Sequence, residues 1–175
     1  MVRRFTRLAA FLAVGTTAIT GCSREQTTPV GVTTVRLAIV PGAQHGGMPF
    51  RTELTQEVFH GPTMVHFGDP DGTGSALITV NRGQQELCWH ITTANIALPV
   101  TAAHIHRAVA DVQGPIVVNL PPPAGNNGTW SGCRTAGPDL NWAIVEEIVE
   151  NPSGFYANAH NAVYPPGAVR GHLGQ

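Results

Sequence analysis

Beyond about residue 35, the chain is divided into short runs rich in β-branched residues, and Gly, Pro, Asn or Asp separates each run from the next. The sequence contains 20 glycines and 14 prolines, which supply many of these breaks. Such runs are typical of strands in an antiparallel all-β domain, since turn residues end each strand after a few positions. The predicted strands are Val35–Val40, Arg51–Thr55, Met64–Phe67, Ser75–Asn81, Glu86–Thr92, Ala102–Arg107, Pro115–Leu120, Gly128–Cys133, Phe155–Asn161 and Val169–Leu173.

One segment has helical rather than strand periodicity. Leu140, Ile144 and Ile148 recur at i, i+4 spacing and form one apolar stripe, with glutamates off the stripe. Asp139 is a candidate N-cap, and Pro152 lies just past the expected end. We therefore expect one short helix near residues 139–149, packed over one end of a β-sandwich.

The N-terminus has the features of an export signal. Three arginines and no acidic residue precede an apolar run, Leu8–Ile19, that is well short of the ~20 residues needed to cross a bilayer. The run ends in Ile19-Thr20-Gly21-Cys22, which resembles the lipobox, where the cysteine receives diacylglycerol and becomes the new N-terminus. The alternative is an ordinary secretory signal that happens to contain a cysteine.

The predicted organisation follows from this signal. Residues 1–21 are a lipoprotein signal peptide, 22–34 a flexible polar tether, and 35–175 a single domain. The mature protein is then extracytoplasmic and attached to the cell membrane through lipid on Cys22. All basic residues are arginine, three of them lie in the signal peptide, and the mature part is net acidic, so nucleic acid is excluded as a partner.

The cysteine count agrees with an oxidising compartment. Without Cys22, two cysteines remain, Cys88 and Cys133, and a single structural disulfide is the simplest interpretation. A redox-active or metal-binding pair is the alternative, although the sequence contains no CxxC spacing.

Two segments carry the candidate chemistry. In a strand, His104 and His106 share one face while Ile105 points to the other, and two imidazoles at this spacing can reach one metal ion. The alternative is two exposed or hydrogen-bonded histidines. In the later segment, Tyr156, Asn158 and His160 share one face, and Arg170 and His172 share a face of the last strand.

The chain resembles the CHRD domain, named after chordin and also found in bacterial secreted proteins. The resemblance covers about Phe50–Leu173 in the order typical of the family. The matching segments are Phe50–Leu54, Gly72–Val80, Glu86–Ile91, Ala102–His106, Gly114–Leu120, Ser131–Cys133, Asn151–Pro152, Phe155–His160 and Pro166–Leu173. Two departures are the absence of glycines from 107–113 and the presence of His172 where the family usually has glutamine.

The pattern is in turn similar to Cu/Zn superoxide dismutase, which implies an antiparallel Greek-key β-sandwich of superoxide-dismutase-like or immunoglobulin-like type. By position, His104 and His106 match a pair of copper ligands, and His160 matches a later ligand. Arg170 matches an arginine that guides anions. No histidine lies between His106 and His160, so the bridging ligand and zinc loop of the dismutase have no counterpart.

Three functions remain open at this point. In the first, His104, His106 and His160 bind a single copper ion, or in second place zinc, with His90, His172 or water completing the site. In the second, the histidines, Asn158 and Arg170 form a structural network in a non-catalytic module that binds an unidentified protein. The third is a mononuclear copper oxidoreductase of superoxide-dismutase type. Whether the protein is an enzyme stays open.

Overall fold

Alternation of apolar and polar residues produces the strands where the sequence indicates them. The computed structural model of the chain describes residues 37–60 and 64–174, all within the compact unit Thr34–Gln175. The strands are β1 (Met48–Gln56), β2 (Val58–His60), β3 (Val65–Phe67), β4 (Thr73–Asn81), β5 (Glu86–Ala94), β6 (Ala102–Arg107), β7 (Ile116–Asn119), β8 (Thr129–Thr135), β9 (Phe155–His160) and β10 (Val169–His172). The predicted signal peptide 1–21, the lipidated Cys22 and the tether 22–34 lie outside the described residues.

The predicted strands from Arg51 onward coincide with observed strands. Of the predicted strand Val35–Val40, the described residues 37–40 make only an isolated bridge between Ala38 and Gly47, so that part of the prediction is wrong. Leu37 and Ile39 are exposed, and only Val40 is buried, so this segment has little apolar packing to hold it in a sheet. The short strand β2 was not predicted.

Eight strands form one curled sheet in the order β7-β6-β9-β10-β1-β4-β5-β8, and β2 pairs separately with β3. Strand β1 pairs with β4 over Met48–Leu54 but with β10 only through Thr55 and Gln56. The sheet therefore has two halves: the first half is β1, β4, β5 and β8, and the second half is β7, β6, β9 and β10. The chain crosses between halves after β5, after β7 and after β8, as in a Greek-key sandwich.

A single apolar core lies between the halves. The first half contributes Ile78 and Trp89, and the second contributes Ile105 and Phe155, all of which are 3% exposed or less. Because side chains alternate along a strand, the neighbours of these residues point to the outer faces. The prediction of an antiparallel all-β sandwich is confirmed.

The predicted helix is present as α1 (Trp142–Glu150), followed by a 3₁₀ turn at Pro152–Gly154. Val145 and Ile148 are fully buried in the core. The predicted cap is wrong: the N-cap is Asn141, whose side chain accepts from the Ala143 N–H at 3.0 Å. The Asp139 carboxylate instead accepts from Arg134 at 3.2 Å. Among the described residues, no helix has the length and apolar character needed to cross a membrane.

Cys88 and Cys133 form the predicted disulfide, with an S–S distance of 2.07 Å. The two residues are direct partners in the antiparallel pairing of β5 with β8. Their side chains point away from the core, on the outer face of the first half, because the core residues Leu87 and Trp89 flank Cys88 on β5.

Candidate metal centre

The outer face of the second half carries a set of polar side chains that we call the polar layer. Its members project from β6, β9 and β10, and they are His104, His106, Tyr156, Asn158, His160, Arg170 and His172. Most of these side chains are buried even though they point away from the core. Backbone carbonyls of Val112, Gly114 and Pro165 lie against them and contact Arg170, His106 and His160 respectively.

Strand pairing brings the three predicted ligands together. β6 pairs with β9 so that Ala102 is opposite His160 and His104 is opposite Asn158. His160 is therefore a diagonal neighbour of His104, and His106 lies two residues further along the same face. One ring nitrogen from each of the three histidines lies within 4.8 Å of the other two. The structure thus places the three residues where one ion can contact all of them.

Backbone carbonyls select the tautomer of two of these rings. Nδ1 of His106 lies 2.8 Å from the carbonyl oxygen of Gly114, and Nδ1 of His160 lies 2.9 Å from that of Pro165. A carbonyl oxygen only accepts, so each Nδ1 carries the proton and each Nε2 carries a free lone pair. In metal sites, the same hydrogen bond from the other ring nitrogen fixes the tautomer and orients a histidine ligand toward the metal.

The two free Nε2 atoms have different surroundings. Nε2 of His160 lies 3.1 Å from Nδ1 of His104, which donates to it when no metal is bound. Nε2 of His106 is buried and has no hydrogen-bond partner among the described residues. A buried acceptor without a partner is costly, and a bound cation would satisfy it.

The spacing of His104 and His160 fits coordination of one ion. With metal–nitrogen bonds of about 2.0–2.1 Å, two nitrogens 3.1 Å apart subtend roughly 100° at the metal. Binding through Nδ1 of His104 requires its proton to move to Nε2 of the same ring. That ring is only partly buried and borders a cleft of about 320 Å³, which is also lined by Thr101, Asn119 and Arg134.

Burial keeps the imidazoles neutral. Desolvation, reinforced by the neighbouring His160 and His106, lowers the pKa of His104 from 6.5 to about 4. Desolvation also lowers the pKa of His106 and of His160. Metal ions bind the neutral form of imidazole, so near pH 7 the three rings are in the ligating state without losing a proton.

Behind the rings, Asn158 connects the polar layer to a buried carboxyl group. The Asn158 side-chain amide donates to Oε2 of Glu57 at 3.2 Å, and both residues are 1% exposed. Burial raises the pKa of Glu57 from 4.5 to about 7, although Asn158 and the charge of Arg170 act in the opposite direction. No local pattern in the sequence marks Glu57, because its carboxyl group becomes buried only through tertiary contacts.

Arg170 and His172 lie in the polar layer but not beside the three imidazoles. The Arg170 guanidinium stacks 3.6 Å over the ring of Tyr156 and donates to Nε2 of His172 at 3.1 Å. The other side of the Tyr156 ring stacks in parallel on His106, with the ring centres 4.8 Å apart. Tyr156 therefore lies between Arg170 and the imidazole cluster. Its position on the face of Asn158 was apparent from the sequence, but its role as a spacer was not.

His90, considered as a fourth ligand, is placed elsewhere. It points outward from β5 in the first half, where its Nδ1 lies 2.7 Å from Oγ of Ser131. The imidazole cluster lies on the outer face of the other half, so the core separates the two. His90 cannot complete the site.

One of three comparisons with known proteins found a match. The family model described as CHRD domain matches residues 50–173. No curated protein and no solved structure matches the chain. Since the family match spans well over half of the sequence, the chain belongs to the CHRD domain family.

Proposed function

We propose that this protein is a CHRD-domain lipoprotein of the cell surface that binds a single copper ion through His104, His106 and His160. The observation that supports it best is the convergence of three neutral imidazoles, two of them oriented by backbone carbonyls. Nitrogen ligands of this type suit copper, and also zinc as the second choice. The cleft beside His104 leaves room for water or a small ligand to complete the coordination.

The direct test is a Cu²⁺ titration of the purified domain with its disulfide intact. The unmodified protein should bind one equivalent, and the triple variant His104→Ala, His106→Ala, His160→Ala should bind none at this site. The variant His90→Ala is the matched control and should keep full binding, since His90 lies on the opposite outer face. Equal copper uptake by the triple variant and the unmodified protein would end the proposal.

A structural network is the second candidate, and one observation favours it. The His104–His160 hydrogen bond closes the polar layer without any metal, together with the carbonyl bonds of His106 and His160. In that case the domain is a non-catalytic module for an unidentified protein partner. The triple variant should then lose the same amount of thermal stability with and without copper. A copper-dependent difference in melting temperature speaks for the metal site.

An oxidoreductase of superoxide-dismutase type receives less support. The predicted anion-guiding residue, Arg170, is 6% exposed, stacked on Tyr156 and bonded to His172. A guanidinium held in this way is poorly placed to meet an anion at the imidazoles. Rapid decay of superoxide catalysed by the copper-loaded protein would reinstate this function.

The membrane anchor rests on the lipobox-like segment ending at Cys22. Export through the signal peptide and lipidation of Cys22 would attach the domain to the outer side of a membrane by its tether. Replacement Cys22→Ser should abolish incorporation of labelled fatty acid and release the protein from the membrane fraction. Retention of the variant in the membrane fraction, without label, would refute the anchor.

A further inference from the structure

A second cluster of potential metal ligands lies on the outer face of the first half, on the opposite side of the core from the imidazoles. Glu86 and Cys88 are two residues apart on β5 and share that face, and Cys133 is directly opposite Cys88 on β8. A carboxylate oxygen of Glu86 and the two sulfur atoms lie within 4.8 Å of one another. In the disulfide form the sulfurs are not ligands, because metals bind the thiolate.

One oxygen of the Glu86 carboxylate is buried without a hydrogen-bond donor among the described residues. This oxygen is Oε2, and the side chain as a whole is 13% exposed. Nδ1 of His45 lies 3.7 Å from this oxygen. The turn that carries His45 is fixed by the Asn81 side chain, which donates to the Gly46 carbonyl at 2.8 Å. His45 therefore borders Glu86 but does not belong to the group that Glu86 forms with the two sulfurs. A buried carboxylate oxygen without a hydrogen-bond donor is a place where a cation would be stabilised.

Strand pairing holds the cluster in place independently of the disulfide. β5 and β8 are antiparallel partners from Glu86–Thr135 to Thr92–Thr129, and Trp89 and Ile91 anchor β5 in the core. Opening the S–S bond therefore leaves the two thiols opposite each other. Cys133 is exposed, so a solvent thiol can attack its sulfur.

We propose that reduction of the Cys88–Cys133 disulfide creates a zinc site whose protein ligands are the two thiolates and the Glu86 carboxylate. A dithiol reductant supplies two electrons and two protons and becomes a disulfide itself, while Cys88 and Cys133 become thiols. Zinc then displaces the two thiol protons to solvent and binds the two sulfurs and one carboxylate oxygen, with water as the fourth ligand of a tetrahedral site. The oxidised protein lacks this site.

The test uses Co²⁺ as a spectroscopic probe for zinc, because thiolate ligands give a cobalt charge-transfer absorption that histidine sites lack. The triple His→Ala variant of the imidazole cluster is reduced with a dithiol, freed of reductant without air and titrated with Co²⁺. We expect one equivalent with thiolate absorption, which Zn²⁺ then displaces, and none in the oxidised protein. The same absorption is measured in the unmodified protein, so the result does not depend on the triple variant or on copper binding elsewhere.

Glu86→Gln tests the ligand set, and Glu53→Gln is its matched control on an exposed position of β1. Glu86→Gln should weaken Co²⁺ binding at least about tenfold. Loss of a residue that only hydrogen-bonds to a metal ligand already lowers metal affinity about 10- to 100-fold, and Glu86 is itself a ligand in this proposal. Glu53→Gln should bind as the parent does. Absence of thiolate absorption in the reduced protein, equal affinity of the two glutamate variants, or loss of the far-ultraviolet β-sheet signal on reduction would each overturn the proposal.

Discussion

The buried carboxyl group of Glu57 should make the unfolding free energy of the protein depend on pH in a defined direction. This carboxyl group is 1% exposed, accepts from Asn158, and has a pKa raised by burial from 4.5 to about 7. Below pH 4.5, both the folded and the unfolded chain carry the proton, and the group adds no pH dependence. Between 4.5 and about 7, the unfolded chain loses the proton while the folded protein keeps it, so stability falls as pH rises.

The magnitude follows from the size of the shift. At 1.36 kcal/mol per pKa unit, a shift from 4.5 to about 7 corresponds to about 3 kcal/mol lost above neutral pH. In Glu57→Gln the side chain stays neutral and can still accept from Asn158. The variant should therefore match the parent near pH 4.5 and exceed its unfolding free energy by about 3 kcal/mol near pH 8.

Urea denaturation of both proteins across this range measures the effect. Burial also lowers the pKa values of the histidines, which makes stability rise with pH, but this effect is the same in both proteins. The difference between the two curves therefore isolates Glu57. Glu53→Gln, on an exposed position, should show no such pH-dependent difference. A Glu57→Gln difference that stays constant from acid to alkaline pH would refute the assignment of a buried, proton-bearing carboxyl group.

Three further predictions concern the core, the covering loop and the metal site. Replacement of Ile105 by Ala, at a fully buried core position between His104 and His106, should lower the unfolding free energy by about 2–5 kcal/mol; a loss below about 1 kcal/mol in urea denaturation would contradict this packing. Gly167→Ala should destabilise the protein by about 1–3 kcal/mol, because φ is +146° and the new Cβ would overlap the Glu57 carboxylate. It should also weaken copper binding, since the same loop supplies the Pro165 carbonyl; unchanged melting temperature and copper affinity would argue against this. Copper affinity should fall as pH decreases, because protons compete for the imidazoles, but binding should persist below the usual pKa of 6.5, toward about 4 for His104. A titration that loses copper with a midpoint at or above 6.5 would contradict the burial of these rings.

Local patterns were sufficient for most of the strands and for the direction of several side chains. Period-two alternation predicted that Ile105 points inward while His104 and His106 point outward, and the structure shows this arrangement. The disulfide between Cys88 and Cys133 was predicted because only these two cysteines remain once Cys22 is assigned to the lipid anchor. The N-cap prediction failed because Asp139 and Asn141 are both good caps, and the tertiary contact with Arg134 engages Asp139.

The polar layer shows where local patterns stop being informative. The sequence indicated that Asn158 and His160 share a face, but not that Tyr156 would lie between Arg170 and His106. It also gave no sign that His90 would lie on the other side of the core. These outcomes depend on which strands are neighbours, and strand order is not contained in any single strand.

By itself, the sequence determined the class of fold, the faces of the strands, the single disulfide and the three imidazoles available as ligands. The tertiary structure decided that these imidazoles meet, that carbonyls of Gly114 and Pro165 orient two of them, and that Glu57 is buried behind them. The reason is physical. The His104–His160 and Glu57–Asn158 contacts join residues 56 and 101 positions apart, so they exist only when strand order and register are set by packing of the whole core.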